Sequence, residues 1–492
     1  MAVAMTGSGF PTRLFTRSLA GAQRAVRARA GDWGPEGGDA VLYAVSAGFA
    51  LLTALFAGLA GYRVWAWLAL GPYLLAAAVS AVVGRSHARR GAPSGPAAPA
   101  GGEAGSGAGS EVAAPAGGEA RSGAGAGVGS RTAGRWRSAR VWVFLLVLVG
   151  ATIVPLAVEV TLRGANGHVS HVQPEVVVIS QAGQRLATGK DPYHVTVEDG
   201  HVHSAVPGEP TYESFFPYLP LMALFGLSDS TRGPVRVTDT RLAFTVVTLL
   251  VVAGALAALR APWGRKVRAL QFLTVLPTAA LPLATGGDDM PIVAFLLLAM
   301  VLAQRRRPGW SGLVLGVVCA MKFTAWPVAL VALFAARDRA GHRTPGRMAL
   351  GIAAVSGPVV VPFAMSNLRA FVDNVILFPL GLSGVKSPAA SNLPGHVLVL
   401  YFPELHALLP ATVAVVGGIV LLRHLLQRPP GSPAAVATLA GWVMLVAIAF
   451  APATRVGYLL YPANLFVWGW MLREDPRSTA VVEPALVQPA MA

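Results

Sequence analysis

One cysteine, Cys319, stands in a chain of 492 residues, and it lies inside an apolar run. A single thiol excludes a disulfide framework and a cysteine metal cluster, so Cys319 reads as a buried structural thiol. Charge is also scarce: Asp, Glu, Lys and Arg make up 13% of the chain, against 54% hydrophobic residues. That balance excludes an ordinary soluble domain and points to a polytopic membrane protein. Acid is the scarcer sign, with 23 Asp and Glu against 39 Lys and Arg and a formal charge of +16. In a soluble protein that excess would suggest nucleic acid, but here the basic residues fall mostly in short loops between apolar runs. The positive-inside rule accounts for them, and no nucleic-acid partner is expected. No ordinary signal peptide is expected, because the first apolar run begins only near Val41, behind Arg13, Arg17, Arg24, Arg27 and Arg29. Residues 1–40 are therefore expected to be a retained, cytoplasmic basic arm. His168, His171, His201 and His203 lack the spacing of a zinc site and read as solvated loop residues.

What the chain does have is a series of apolar runs. Val41 to Ala60 and Val64 to Val83, joined by Gly61-Tyr62-Arg63, make a transmembrane hairpin (41–83). Residues 84–140 turn to Gly, Ala, Pro and Ser with an imperfect internal duplication, a composition that predicts a disordered linker. Val141 to Thr161 is a third span, followed by a long outer loop over 162–241. Within that loop, Glu175 to Ala187 and Pro217 to Leu227 read as short helices lying on the membrane surface. Spans follow over Leu242 to Leu259, Ala269 to Thr285 and Met290 to Ala303. The run Ser311 to Ala336 is best broken into two short arms at Lys322 to Pro327, since a proline and an embedded lysine together suggest a kink that lines a cavity. Met348 to Met365 leads to a second outer loop, which with the C-terminal spans Ala407 to Leu422, Ala434 to Ala449 and Val456 to Leu472 makes up 367–472. Residues 473–492 form a tail. The expected fold is an all-α, polytopic helical membrane protein with roughly twelve spans, multi-pass in the cell membrane, with both termini cytoplasmic.

On this layout the outer face collects Glu175, Asp191, Asp288 and Asp289, with Lys322 and Arg455 at the ends or breaks of apolar segments. A carboxylate at that boundary can serve as a general base on a hydroxyl, and a cation at the same depth can hold a lipid phosphate. Each residue also has a plainer reading. Asp288 and Asp289 can simply start the following helix, and Glu175 follows a proline as acids at helix starts often do. Asp191-Pro192-Tyr193 is a turn signature, and Arg455 can be an interfacial anchor. Lys322 is harder to set aside, because an unpaired lysine in hydrocarbon is costly and faces a cavity or a partner.

Three elements carry a resemblance: Gly-x-x-Pro-Tyr at Gly189 to Tyr193, Tyr-x-Pro-Leu at Tyr218 to Leu221, and Leu-Gly-x-x-x-Ala-x-Lys at Leu315 to Lys322. Together with the early acid of the long loop and the Asp288-Asp289 turn, they resemble the GT-C membrane glycosyltransferases. Within these they are most similar to glycosyltransferase family 87, the polyprenyl-phosphate-mannose-dependent α-mannosyltransferases of actinobacteria. The resemblance covers about residues 141–472, with 141–366 as the catalytic module. It implies transfer of a sugar, mannose by expectation, from a polyprenyl-phosphate sugar to an acceptor hydroxyl of a cell-envelope glycan or glycolipid, with inversion. The reaction would occur outside the membrane, without a nucleotide sugar or an obligatory metal and with no cofactor beyond the lipid-linked donor. The catalytic acid of such enzymes is an aspartate soon after the first span of the fold. The matching position here is Glu175, with Glu159 the second candidate. Asp288 and Asp289 would orient acceptor or donor, Lys322 and Arg455 would hold the lipid phosphate, and Asp191, Tyr193, Tyr218, Trp326 and Lys386 would bind or wall the substrate. The rival readings are a transporter or lipid-carrier translocase, against which stands the lack of an inverted repeat or a matched pair of broken helices, and a catalytically silent glycolipid-binding protein.

Overall fold

The computed structural model describes residues 34–91, 139–167, 169–205, 207–208, 210–230, 235–336 and 343–473. Most of the basic arm, most of the linker, His168 and nearly all of the tail lie outside the described residues. The described chain divides into two units, residues 1–48 with 71–147 and residues 49–70 with 148–492. The hairpin helices are α1 (Gly34–Phe56) and α2 (Ala60–Gly91). Helix α2 runs past Val83 into residues assigned above to the linker. Arg85, Ala88, Arg89 and Arg90 are good helix formers, no proline stands before Pro93, and basic residues suit a helix C-terminus. In the first unit Arg140 lies 2.6 Å from Asp39, both buried, which ties the start of the third span to the foot of α1.

The second unit holds the rest of the bundle: α3 (Ala139–Asn166), most of which lies in this unit, α4 (Pro174–Ala187), α5 (Thr240–Ala258), α6 (Trp263–Thr274), α7 (Pro277–Thr285), α8 (Asp289–Gln304), α9 (Pro308–Cys319), α10 (Trp326–Ala336), α11 (Arg343–Ser366), α12 (Pro394–Tyr401), α13 (Leu405–Gln427), α14 (Pro433–Phe450) and α15 (Leu460–Met471). Among the described residues 8 helices are long and apolar enough to cross a membrane, and three more, including α8 and α9, are apolar but shorter. That criterion does not confirm a count of twelve. Helix α8 is apolar on all sides and buried along most of its length, as a central helix must be. Helix α13 is equally apolar yet buries none of its most hydropathic stretch, which marks it as a perimeter helix facing lipid.

Helices α9 and α11 cross through glycines. A Cβ on Gly312 would meet the Met348 carbonyl oxygen at 2.3 Å, and one on Gly351 would meet the Leu313 nitrogen at 2.7 Å. Small residues let the backbones approach, and packing in lipid depends on such approach.

The break expected at Lys322 is present. Helix α9 ends at Cys319, Lys322 is extended (φ −152, ψ 142), and a single 3₁₀ turn leads into α10. The break leaves the carbonyls of Ala320 and Met321 without helical partners, and Leu221 N and Leu219 N donate to them at 3.0 and 2.9 Å. The long loop is thereby fastened to the break, and its Pro220–Gly226 segment forms a buried 3₁₀ helix.

Helix α4 is a core helix and does not lie on a surface. Val176, Ile179 and Ala182 are buried, and its polar Ser180 is satisfied internally by Asp229 and Thr240. Its amphipathic pattern reflects these internal partners. The loop ends are fixed by fully buried Arg241, paired with Asp239 at 2.8 Å, which Arg163 also reaches at 2.9 Å. The loop further carries a small hairpin, β1 (Thr196–Glu198) with β2 (His201–His203), turned by Asp199 and Gly200 at φ 50 and 78. Asn374 of the second outer loop joins it to the first: its Nδ2 donates to Val195 O and its Oδ1 accepts from Phe216 N, each at 2.8 Å.

Candidate active site

The site is assembled from five places in the chain. Gln173, just before α4, donates to Thr285 Oγ1 at 2.8 Å, while its backbone N donates to Thr285 O at 3.1 Å. Thr285 ends α7, so this contact sets the start of α4 beside the Gly286-Gly287 turn. Gly286 has φ +113, and a Cβ there would lie 2.1 Å from Val176 Cγ2, so only glycine turns the chain here. Glu175, in the first turn of α4, and Asp288, just past the turn, are thereby brought to one region.

Lys322 Nζ donates to Asp288 Oδ2 at 2.7 Å and to Asp289 Oδ1 at 2.6 Å. All three side chains are nearly buried. Tyr461 donates to Asp289 Oδ1 at 2.6 Å, and the ammonium lies over the rings of Tyr218 and Tyr458, 5.1 and 5.3 Å from their centroids. The single ammonium is thus met by two carboxylates. Burial pushes the Asp288 carboxyl upward; Lys322 opposes that shift, and Asp289 and Glu175 add to it.

A cavity of about 380 Å³ lies in front of Lys322. Glu175, Tyr218, Lys322, Arg455 and Tyr458 line it, with the apolar surfaces of Phe215 and Met444. On its wall Arg455 Nη1 is ion-paired with Glu175 Oε1, while Glu175 Oε2 is buried and accepts no hydrogen bond. Burial would lower the Arg455 pKa, but Glu175 outweighs it and holds it raised. A buried, unpartnered carboxylate oxygen costs about 1–3 kcal/mol and calls for a functional or ligand explanation.

The structure brings together Glu175, Tyr218, Lys322 and Arg455 at the cavity. Asp288 and Asp289 do not line it; they stand behind Lys322 as its anchors. Asp191 accepts from Tyr193 N at 2.8 Å and Ser366 Oγ at 2.5 Å, and the Tyr193 hydroxyl donates to the Tyr218 carbonyl at 2.7 Å, so both shape the loop beneath Tyr218. Trp326 donates to Cys319 O at 3.1 Å, bridging the break, and does not line the cavity. Lys386 is exposed, although its neighbours Ser387, Pro388 and Ala389 form part of the wall. Glu159 is fully buried within α3, its Oε2 3.2 Å from His171 Nδ1, and it is not a wall residue. His171 is thus a partner of Glu159 and not a freely solvated loop residue. Tyr458 and Tyr461 were not singled out from sequence. Their spacing of three and six residues after Arg455, which sets all three on one side of a helical turn, was the available signal.

Residues 216–452 match the model of glycosyltransferase family 87. Over that stretch, just under half of its length, the chain is similar to the family. The matched stretch contains Tyr218, Asp288, Asp289 and Lys322. It begins after Glu175 and stops three residues before Arg455, so the ion pair on the cavity wall lies outside it. No curated protein matches the chain. Among solved structures it is similar to the crystal structure of ArnT from Cupriavidus metallidurans bound to undecaprenyl phosphate, with 18% identity and a TM-score of 0.39. That match covers 70% of this chain and 62% of the ArnT chain, so less than two thirds of the latter's length is spanned.

Proposed function

We propose that this protein is a family 87 glycosyltransferase that transfers mannose from a polyprenyl-phosphate mannose to an acceptor hydroxyl of a cell-envelope glycan or glycolipid, on the outer face of the cell membrane. The observation that carries the reading is the Glu175–Arg455 pair on the wall of a largely apolar cavity, with one carboxylate oxygen left unpartnered.

In this reading the acceptor hydroxyl donates to Glu175 Oε2 and loses its proton there as its oxygen attacks the anomeric carbon. The bond from that carbon to the phosphate oxygen breaks on the opposite face, and polyprenyl phosphate leaves with the electron pair, so the configuration inverts. Arg455 is the main phosphate clamp. It faces a single carboxylate, whereas the charge of Lys322 is already met by two. The arriving phosphate competes with Glu175 for Arg455 and thereby frees the base. Lys322, held by Asp288 and Asp289, supplies a fixed donor at the cavity floor, and Tyr218 and Tyr458 wall the sugar.

The test is transfer of radiolabelled mannose from polyprenyl-phosphate mannose into membrane glycolipid by the wild-type protein, with determination of the anomeric configuration of the product. Transfer with inversion supports the reading. Absence of transfer from that donor while another lipid-linked sugar is used would remove mannose, and retention of configuration would remove the mechanism.

A further inference from the structure

A second cavity, of about 920 Å³, lies away from the Glu175 site. Its mouth carries Arg306, Arg347 and Arg473, from the α8–α9 turn, the start of α11 and the end of α15, and among the described residues no acid lines it. All three arginines are exposed, and among the described residues none has a carboxylate within ion-pair distance. Behind the mouth the lining turns apolar, with Leu315 of α9 facing Val328 and Ala332 of α10.

The shape follows from the break at Lys322. Helices α9 and α10 are the two arms of the broken run, and the space between them stays open toward the end where α10 finishes. From Ala335 at the mouth to Val328 is seven residues of helix, about 10 Å of depth. Protein interiors do not leave voids of this size unfilled, and the volume lies within the roughly 300–1,000 Å³ typical of ligand sites. A free anion would use the arginines but leave the apolar wedge empty. A neutral lipid would fill the wedge but leave three unpaired cations at its mouth. An anionic amphiphile satisfies both.

We propose that the wedge between α9 and α10 binds one anionic phospholipid, its phosphate on Arg306, Arg347 and Arg473 and an acyl chain along Leu315, Val328 and Ala332. This site is separate from the sugar-transfer cavity and does not depend on the reading of that cavity. A lipid here props apart the arms that meet at Lys322.

The test is native mass spectrometry of the full-length protein released from bilayers of equal phosphatidylglycerol and phosphatidylcholine. The wild type is expected to retain one phosphatidylglycerol in preference to phosphatidylcholine, and inorganic phosphate should not displace it. The triple variant Arg306→Gln, Arg347→Gln, Arg473→Gln should weaken retention by about a hundredfold, since each basic residue near a lipid surface contributes about a fivefold factor. Ala332→Trp, which fills the wedge and leaves the arginines intact, should abolish retention as well. The arginine variant removes only exposed charge, so it keeps the test valid if the tryptophan variant does not fold. Equal retention of the two lipids, displacement by inorganic phosphate, or unchanged retention in a folded variant of either kind would overturn the proposal.

Discussion

Replacing Lys322 by methionine keeps the length and apolar stem of the side chain but removes the charge that two carboxylates share. Asp288 and Asp289 lie 2.7 and 2.6 Å from the ammonium, and the three side chains are 5–9% exposed. Removing one partner of a buried ion pair costs about 3–5 kcal/mol, because the other charge stays behind uncompensated. Here two adjacent acids stay behind, and burial already pushes Asp288 up. Asp288 can escape part of the cost by taking up a proton. In the variant its folded pKa, already pushed up by burial and no longer held down by Lys322, lies above the unfolded one, so the folded state binds more protons and stability falls as pH rises. Lys322→Met should therefore unfold faster than wild type in detergent, by about a hundred- to a thousandfold at pH 8, where a tenfold change corresponds to about 1.4 kcal/mol. The deficit should shrink toward pH 5, and adding Asp288→Asn should recover a large part of it at pH 8. The assay is the half-life of thermal inactivation followed by tryptophan fluorescence. A deficit that does not change with pH, or one that Asp288→Asn fails to relieve, would refute the reasoning.

Three further outcomes follow from the same structure. Arg455→Gln should raise the donor KM by at least about tenfold, since a hydrogen bond to a charged group is worth about 1.5–3 kcal/mol, with Arg455→Lys recovering only part; steady-state kinetics in nanodiscs would show this. Asp239 is pushed up by burial but pulled further down by Arg241 and Arg163, so its folded pKa lies below the unfolded one. Its contribution to stability is complete at neutral pH and is lost as pH falls through the depressed value, a loss that fluorescence-monitored acid titration should detect and that Asp239→Asn should flatten. Gly312→Val should lower the melting temperature through overpacking worth about 1–3 kcal/mol, because its Cβ has a carbonyl 2.3 Å away, whereas Gly309→Ala, with nothing within 4 Å, should not.

Much of the architecture was legible because it follows from local rules. A proline and a lysine inside one apolar run announced the break between α9 and α10, and Pro174-Glu175 announced the start of α4. The site was legible only in part. Glu175, Tyr218, Lys322 and Arg455 could be named as single residues, but the hydrogen bonds between the loop and the break, which bring Tyr218 to Lys322, join positions a hundred residues apart and leave no local pattern. Asp288 and Asp289 were read as facing substrate because a carboxylate pair after Gly-Gly looks the same whether it faces a cavity or a buried lysine. Helix α4 was read as interfacial because the polar partners of Ser180 lie elsewhere in the chain. The Asp199-Gly200 turn and the Arg455-x-x-Tyr458-x-x-Tyr461 spacing are also present in the sequence; the first lies in the long loop, and the second runs into a stretch whose apolar composition alone reads as a plain span.

The most direct test of the central claim, that Glu175 is the base, is single-turnover sugar transfer by Glu175→Gln with donor binding measured on the same preparation. The account predicts donor binding close to wild type and a rate lowered by about 10²–10⁴, the range that general-base catalysis supplies. A Glu175→Gln protein that transfers sugar at the wild-type rate would contradict it.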